Sequence, residues 1–199
     1  MPIDSPLAVF TDRFTLHYDR HYTHSIELVW EAVSTSEHLD VWLLPVSRVE
    51  RREGGACSFS WGEPPDHPNT TVGEVTVFDP PKSIQYTTKD GFMRFDLEPD
   101  GEGTMLRFTH SFRPGALTEP AADYPGSDQP AGPDAPWRPG FVAGFHQMLD
   151  ELDLYLSGKW TAADRARDLE GMRAGRPHPE HLRLIDVYRD HIRGHCPPA

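Results

Sequence analysis

The sequence predicts an α+β domain with an antiparallel sheet of six or seven strands, two short helices after the first strand, one long helix starting near residue 139, and a helical tail. Three observations predict it. Residues 13–22, RFTLHYDRHY, alternate with period two. Residues 46–112 break into short β-rich runs joined by turns too short for crossovers, which favours an antiparallel meander. Residues 139–157 then switch to helical spacing, with Phe141, Phe145, Met148, Leu149, Leu152, Tyr155 and Leu156 on one side.

The first strand puts Phe14, Leu16, Tyr18 and Tyr22 on one face and His17, Asp19 and His21 on the other, so one face is buried. SIELVWEAV (25–33) has Ile26, Val29, Trp30 and Val33 at helical spacing. STSE (34–37) has capping-box form, Ser34 followed by Glu37, and opens a second short helix carrying Leu39, Trp42 and Leu43 until Pro45 stops it. EGG separates SRVERR from ACSFSW, TVGEVTVFD ends at Pro80-Pro81, KDG follows SIQYTT, and DGEG joins FMRFDLEP to TMLRFTHSF. Residues 113–139 form a long Pro/Gly-rich loop, a length that implies a lid or a disordered insertion. Its Tyr124 and Trp137 are apolar anchors that a fully solvated loop does not need. The tail holds two helical stretches, about 161–174 and 179–193, separated by GRPHP. Their apolar faces (Leu169, Met172; Leu182, Ile185, Tyr188, Ile192) suit packing on the domain or pairing of two subunits. The organisation expected is one domain over 1–158 and a helical extension over 159–199.

The composition excludes more than it identifies. A net charge of -12 over 199 residues argues against nonspecific nucleic-acid binding and against anionic membrane surfaces. The start, MPIDSPLAVF, lacks the basic and apolar regions of a signal peptide, and no run of about 18 apolar residues predicts a membrane span. Two isolated cysteines, Cys57 and Cys196, fit a reducing cytoplasm. There is no P-loop, dinucleotide fingerprint, GxSxG or HExxH, so no cofactor is expected.

The segments ELVWEAVSTSEHLDVWLLP, GGACSFSWG, GEVTVFDPPKSIQYTT, GTMLRFTHSF and GFHQMLDELDLYLSG, in this order and spacing, resemble the SRPBCC (START/birch-pollen-allergen-like) superfamily. Within it they are most similar to the branch named for the activator of heat-shock protein 90 ATPase. The resemblance covers roughly residues 14–158 and implies a helix-grip fold, in which a curved sheet wraps a long C-terminal helix, often around a cavity. It implies a small-molecule carrier, an aromatase/cyclase-like enzyme, or a chaperone-associated module.

Four groups of residues are candidates for chemistry. His146 and Asp150 lie one helical turn apart, as a base and its orienting carboxylate would. With Phe141 as origin they fall at about 140° and 180°, opposite the apolar stripe, which predicts a pair on the outer flank of the helix. His17, Asp19 and His21 share a strand face with metal-ligand chemistry, but that face is the solvent side, so no metal site is expected there. The tail residues His178, His181, His191, His195 and Cys196 have no tight ligand spacing. The fourth group is the inward face of TMLRFTHSF, where His110 shares parity with Leu106, Phe108 and Phe112. His110 is then either a core histidine bonded to backbone or a polar anchor in an apolar pocket.

The function expected is binding of a small hydrophobic or aromatic molecule between sheet and long helix. Trp42, Phe59, Trp61, Tyr86, Phe95, Phe108, His110, Phe145 and Met148 would line the site, oriented by His110 and Tyr86. Cyclase/aromatase- or hydrolase-like chemistry in the same cavity is one alternative. The other is a chaperone-associated or self-associating module, including a homodimer. An open pocket of a few hundred Å3 favours the first reading, and a filled core favours the interaction module.

Overall fold

A computed structural model describes residues 5–62, 70–114, 116, 137–176 and 178–197. Among them an eight-stranded antiparallel sheet runs in the order β1-β2-β8-β7-β6-β5-β4-β3. The strands are β1 (Val9–Phe10), β2 (Thr15–Tyr22), β3 (Val46–Val49), β4 (Gly55–Ser60), β5 (Thr71–Asp79), β6 (Ser83–Thr88), β7 (Gly91–Asp100) and β8 (Gly103–Phe112). The strand beyond the seven read from the sequence is the two-residue β1. The helices are α1 (Ile26–Ser34), α2 (Ser36–Trp42), α3 (Pro139–Leu156), α4 (Ala162–Arg173) and α5 (Pro179–His195). Most of the 113–139 loop, Tyr124 included, lies outside the described residues. No helix among the described residues is long and apolar enough to cross a membrane.

The strand order follows from the chain path. After β2 the chain crosses through α1 and α2 to the far edge, enters β3, and meanders back until β8 pairs with β2. The register Leu16↔His110, Tyr18↔Phe108 and Arg20↔Leu106 puts one parity of both strands against α3. At the other edge, α2 covers β3. Asp40 accepts a hydrogen bond from Ser47 N at 2.5 Å and Ser36 Oγ accepts one from Val49 N at 3.0 Å, which occupies donors that an exposed edge would offer to another strand.

The two short helices join differently from the capping-box expectation. Helix α1 runs through Ser34, whose hydroxyl donates back to Trp30 O at 2.7 Å. Thr35 is therefore the N-cap of α2, and no side-chain cap bond forms. Ser34 remains hydrogen-bonded inside α1 and is not free to cap α2.

Helix α3 is buried against both the sheet and α5. Leu149, Leu152 and Met148, members of the apolar stripe, are buried. Ala143 and His146 are also buried, on the side where α5 packs with Leu184, Ile185, Tyr188 and Ile192. The tail's apolar face is thus used within the chain, and Leu182 is its exposed member.

Backbone sterics set one turn tightly. Gly91 opens β7 at φ 154°, and a Cβ there would lie 1.8 Å from Ser111 O on the paired strand. Gly91→Ala should cost about 2–4 kcal/mol in urea unfolding, from strain plus the forced separation of β7 and β8. An unchanged midpoint would contradict this register.

Candidate functional site

Period-two alternation in β8 brings Phe108, His110 and Phe112 inward, where the last of them meets the start of α3. His110 sits among five aromatic rings. Their centroids lie at 4.5 Å for Phe112, 5.2 Å for Phe145, 5.3 Å for Phe141, 5.8 Å for Trp137 and 6.3 Å for Phe108. The imidazole is 7% exposed and its Nδ1 has no hydrogen-bond partner. It is therefore not a histidine bonded to backbone through that atom. Burial alone pushes its pKa down to about 3, so the ring is neutral at physiological pH. A buried polar atom left unpaired costs about 1–3 kcal/mol. The other polar groups at the cage are committed: Trp137 Nε1 donates to Arg13 O at 3.0 Å, and Tyr18 Oη donates to Val142 O at 2.7 Å.

The nine lining residues read from the sequence fall in three places. Phe108, His110 and Phe145 form the cage with Phe112, Trp137 and Phe141. Trp42, Phe59, Tyr86 and Phe95 form a packed layer, all 0–1% exposed, with centroid separations of 5.1 Å (Phe59–Tyr86), 6.0 Å (Trp42–Phe95) and 6.3 Å (Tyr86–Phe95). Trp61 and Met148 lie on the far flank of α3 beside Gln147 and Glu151. Tyr86 is not positioned to act with His110. Its hydroxyl donates to Val33 O at 2.8 Å, and Met93 stands between the two residues in register across β6, β7 and β8. Two strand spacings separate them by about 10 Å.

The far side of α3 differs most from the sequence reading. His146 is 0% exposed, so it is not on an outer flank. Its Nδ1 makes a 2.7 Å hydrogen bond with Tyr188 Oη, and Tyr188 Oη also accepts from Ala8 N at 3.1 Å. Asp150 Oδ2 lies 3.4 Å from His146 Nε2, within ion-pair range but poorly aligned for a hydrogen bond. Asp150 Oδ1 lies 3.3 Å from Nε of Arg20, a charge on the inward face of β2 that is only 5% exposed. Burial raises the Asp150 pKa, but His146 and Arg20 outweigh it and hold the carboxyl below its usual value. This dyad is a staple joining α3, α5, β2 and the N-terminal segment. Arg20 was missed although its signal was present, since it shares parity with Tyr18 and Tyr22.

A second polar cluster joins α3 to α4. Glu151 and Arg165 are each 4% exposed and pair at 3.2 Å. Gln147 donates to Glu151 at 2.7 Å, His181 Nδ1 bonds Gln147 Oε1 at 3.1 Å, and Arg165 also donates to Leu43 O. A crevice of about 20 Å3 lies among these groups, room for a single water. Its Asp168 also borders an open groove of about 310 Å3 between α4 and the start of α5, walled by Trp160, Arg167, Arg176 and His178. Burial raises the Glu151 pKa to about 7 against the pull of Arg165. No local pattern flagged Glu151, because only the packing of α4 buries it.

On the outer sheet face, Asp19 takes two hydrogen bonds from Arg107, at 2.7 and 3.0 Å. His17 lies 3.7 Å from Asp19, and His21 lies 3.6 Å from Asp100. The histidines of HYDRH therefore pair with separate carboxylates. Among the described residues no group of three or more His, Cys, Asp and Glu side chains is placed to hold a metal ion.

His110 and Glu151 give stability opposite pH dependences. Unfolded His110 takes up a proton near pH 6.5, whereas the folded ring resists to about pH 3. Its contribution is complete above pH 6.5 and is lost as pH falls from there towards 3. Folded Glu151 holds its proton to about pH 7, whereas the unfolded group releases it near 4.5. Its contribution is complete below pH 4.5 and is lost as pH rises through 7. Each has a limiting slope of about 1.4 kcal/mol per pH unit. Urea unfolding from pH 4 to 8 should therefore show His110→Phe removing acid sensitivity and Glu151→Gln removing the decline towards neutral pH. Parallel profiles for wild type and both variants would contradict these assignments.

Solved structures share the fold over most of the chain. A conserved protein of unknown function from Enterococcus faecalis, EF2215, superposes with a TM-score of 0.60 at 16% identity, over 94% of this chain and 90% of that one. CalU16 from Micromonospora echinospora, solved by NMR, gives 0.59 at 16% identity, over 89% and 83%. Protein CV1439 from Chromobacterium violaceum gives 0.50 at 22% identity, over 71% and 96%. No curated protein sequence matches the chain. The sequence profile of the family described as activator of Hsp90 ATPase homolog 1-like protein matches residues 23–157, from the start of α1 to the end of α3. That span is more than half of the chain and contains α1 to α3 and β3 to β8, His110 included, and on this basis the chain belongs to the activator of Hsp90 ATPase homolog 1-like family.

Proposed function

We propose that the protein binds a small, neutral aromatic molecule at the His110 cage, between the end of β8 and the start of α3. One observation carries this reading. His110 is a neutral imidazole with a buried, unpartnered nitrogen, surrounded by aromatic rings. A ligand hydroxyl or N–H that pairs with this nitrogen would relieve its unmet hydrogen bond, and the rings would supply stacking and apolar contact. Phe141 and Phe145, half-buried, form the wall nearest solvent. The ring of His110 is uncharged, so a charged ligand would gain no ion pair from it and would bear its own desolvation cost.

The probe 1-naphthol tests this. It should perturb the NMR signals of Phe141, Phe145 and Trp137, and His110→Phe should weaken its binding about tenfold, the loss of one buried hydrogen bond. Equal binding to the variant, or perturbations confined to other parts of the fold, would sink the proposal.

A protein-interaction role is the second reading. The packed layer of Trp42, Phe59, Tyr86 and Phe95 favours it, since that part of the sheet–helix interior is filled by side chains. The family description names the partner to try first. The ATPase rate of purified Hsp90 should rise when this chain is added, and an unchanged rate would remove that partner.

A further inference from the structure

We propose that the N-terminal strap, residues 5–14, is a gate over the His110 cage, and that α5 holds it shut. The inference rests on the cage being the binding site. It adds how that site is opened and which part of the chain controls it.

The strap is held to the sheet by a hydrogen bond from Arg20 Nη1 to Pro6 O at 2.8 Å, by one from Phe112 N to Phe14 O at 2.8 Å, and by the pairing of β1. Strand β1 pairs with β2 at two positions, Val9↔His17 and Phe10↔Leu16. So short a pairing is marginal without other contacts. Helix α5 adds to them. Tyr188 Oη accepts from Ala8 N at 3.1 Å, and His191 Nε2 donates to Ala8 O at 2.7 Å, so one peptide unit on each side of Ala8 is clamped. The Phe10 ring rests 5.8 Å from His191.

The strap in turn closes the cage through Trp137. Phe10 lies 6.1 Å from Trp137, edge to face, and Arg13 O accepts the Trp137 indole N–H at 3.0 Å. Trp137 is 0% exposed and stands 5.8 Å from His110 and 4.9 Å from Phe112. A continuous line of contact thus runs from His191 through Phe10 and Trp137 to His110. Lifting the strap removes both the ring behind Trp137 and the acceptor of its N–H. The indole is then free to swing, and the aromatic wall opens beside the unpartnered imidazole. When the strap returns, both contacts re-form and the cage is dry again. The two termini of the chain, remote in sequence, would set the rate of exchange at the cage.

The test uses the full chain as wild type, His191→Ala and Phe10→Ala. His191→Ala removes one of the two clamping bonds at a half-buried position of α5, and Phe10→Ala removes the strap's ring without altering α5. Three quantities are measured: hydrogen exchange of the 5–16 backbone, acrylamide quenching of Trp137 (obtained by difference from Trp137→Phe), and the association rate of 1-naphthol. In His191→Ala, strap exchange should accelerate about tenfold, the loss of one hydrogen bond, while exchange in β6 and β7 stays at the wild-type rate. Trp137 quenching and the naphthol association rate should rise in both variants. Unchanged strap exchange in His191→Ala, or unchanged Trp137 quenching in both variants, overturns the gate. Faster strap opening with an unchanged naphthol association rate also overturns it, but leaves binding at the cage standing. Failure of naphthol to bind any of the three proteins overturns the binding reading instead, and the gate is then judged on exchange and quenching alone.

Discussion

The hydroxyls of Tyr18 and Tyr22 reach from β2 to carbonyls of α3, at Val142 O and Leu149 O, with distances of 2.7 and 3.0 Å. Tyr188 reaches the same helix one turn on from Val142, at His146. Buried phenols need partners, and these bonds fix both the height and the rotation of α3 between sheet and tail. The cage at the start of the helix and the ion pairs along its sides depend on that placement. A rotation of α3 by one residue, about 100°, would turn Phe145 away from Phe108 and move His146 off Tyr188.

Holding a helix on two sides also explains the charges inside. The faces of α3 beside the apolar stripe carry His146, Asp150 and Glu151, residues suited to water until the tail covers them. Arg20 and Arg165 then supply the opposite charge, from β2 and α4. Such pairs contribute little net stability against apolar substitutes, but losing one partner leaves an uncompensated buried charge. They therefore constrain how the tail docks more than they strengthen the fold. A water-sized crevice remains beside Glu151 in this packing.

The cage follows a different logic. It has one polar ring, six aromatic side chains counting His110, and no ion pair at its centre. Replacing His110 by an apolar ring would remove the unmet hydrogen bond of Nδ1, so the histidine sits there at a cost in stability. The N-terminal segment bears on this cage through Phe10 and Arg13, and α5 bears on it through His191.

Much of this was readable from local pattern. Period-two alternation marked β2 and β8 and placed His110 inward, because a strand side chain's face depends only on its parity. The apolar stripe of α3 and its start at Pro139 were readable for the same kind of reason, as were the turns at EGG and DGEG. The solvent-facing set His17, Asp19 and His21 was correct in orientation, and Arg107 completed it from another strand. Other features had no local signal. Helical spacing gives a residue's angle but not what lies across from it, so His146 read as surface until Tyr188 was placed against it. The grouping of lining residues had the same difficulty. Trp42, Phe59, Tyr86 and Phe95 carry the same chemistry as Phe108 and Phe145, and only three-dimensional packing put them in separate clusters. Parity and periodicity thus decided the direction in which each side chain points. Which of those directions ends in solvent and which in the interior was decided by contacts between segments up to 183 residues apart, as between Ala8 and His191.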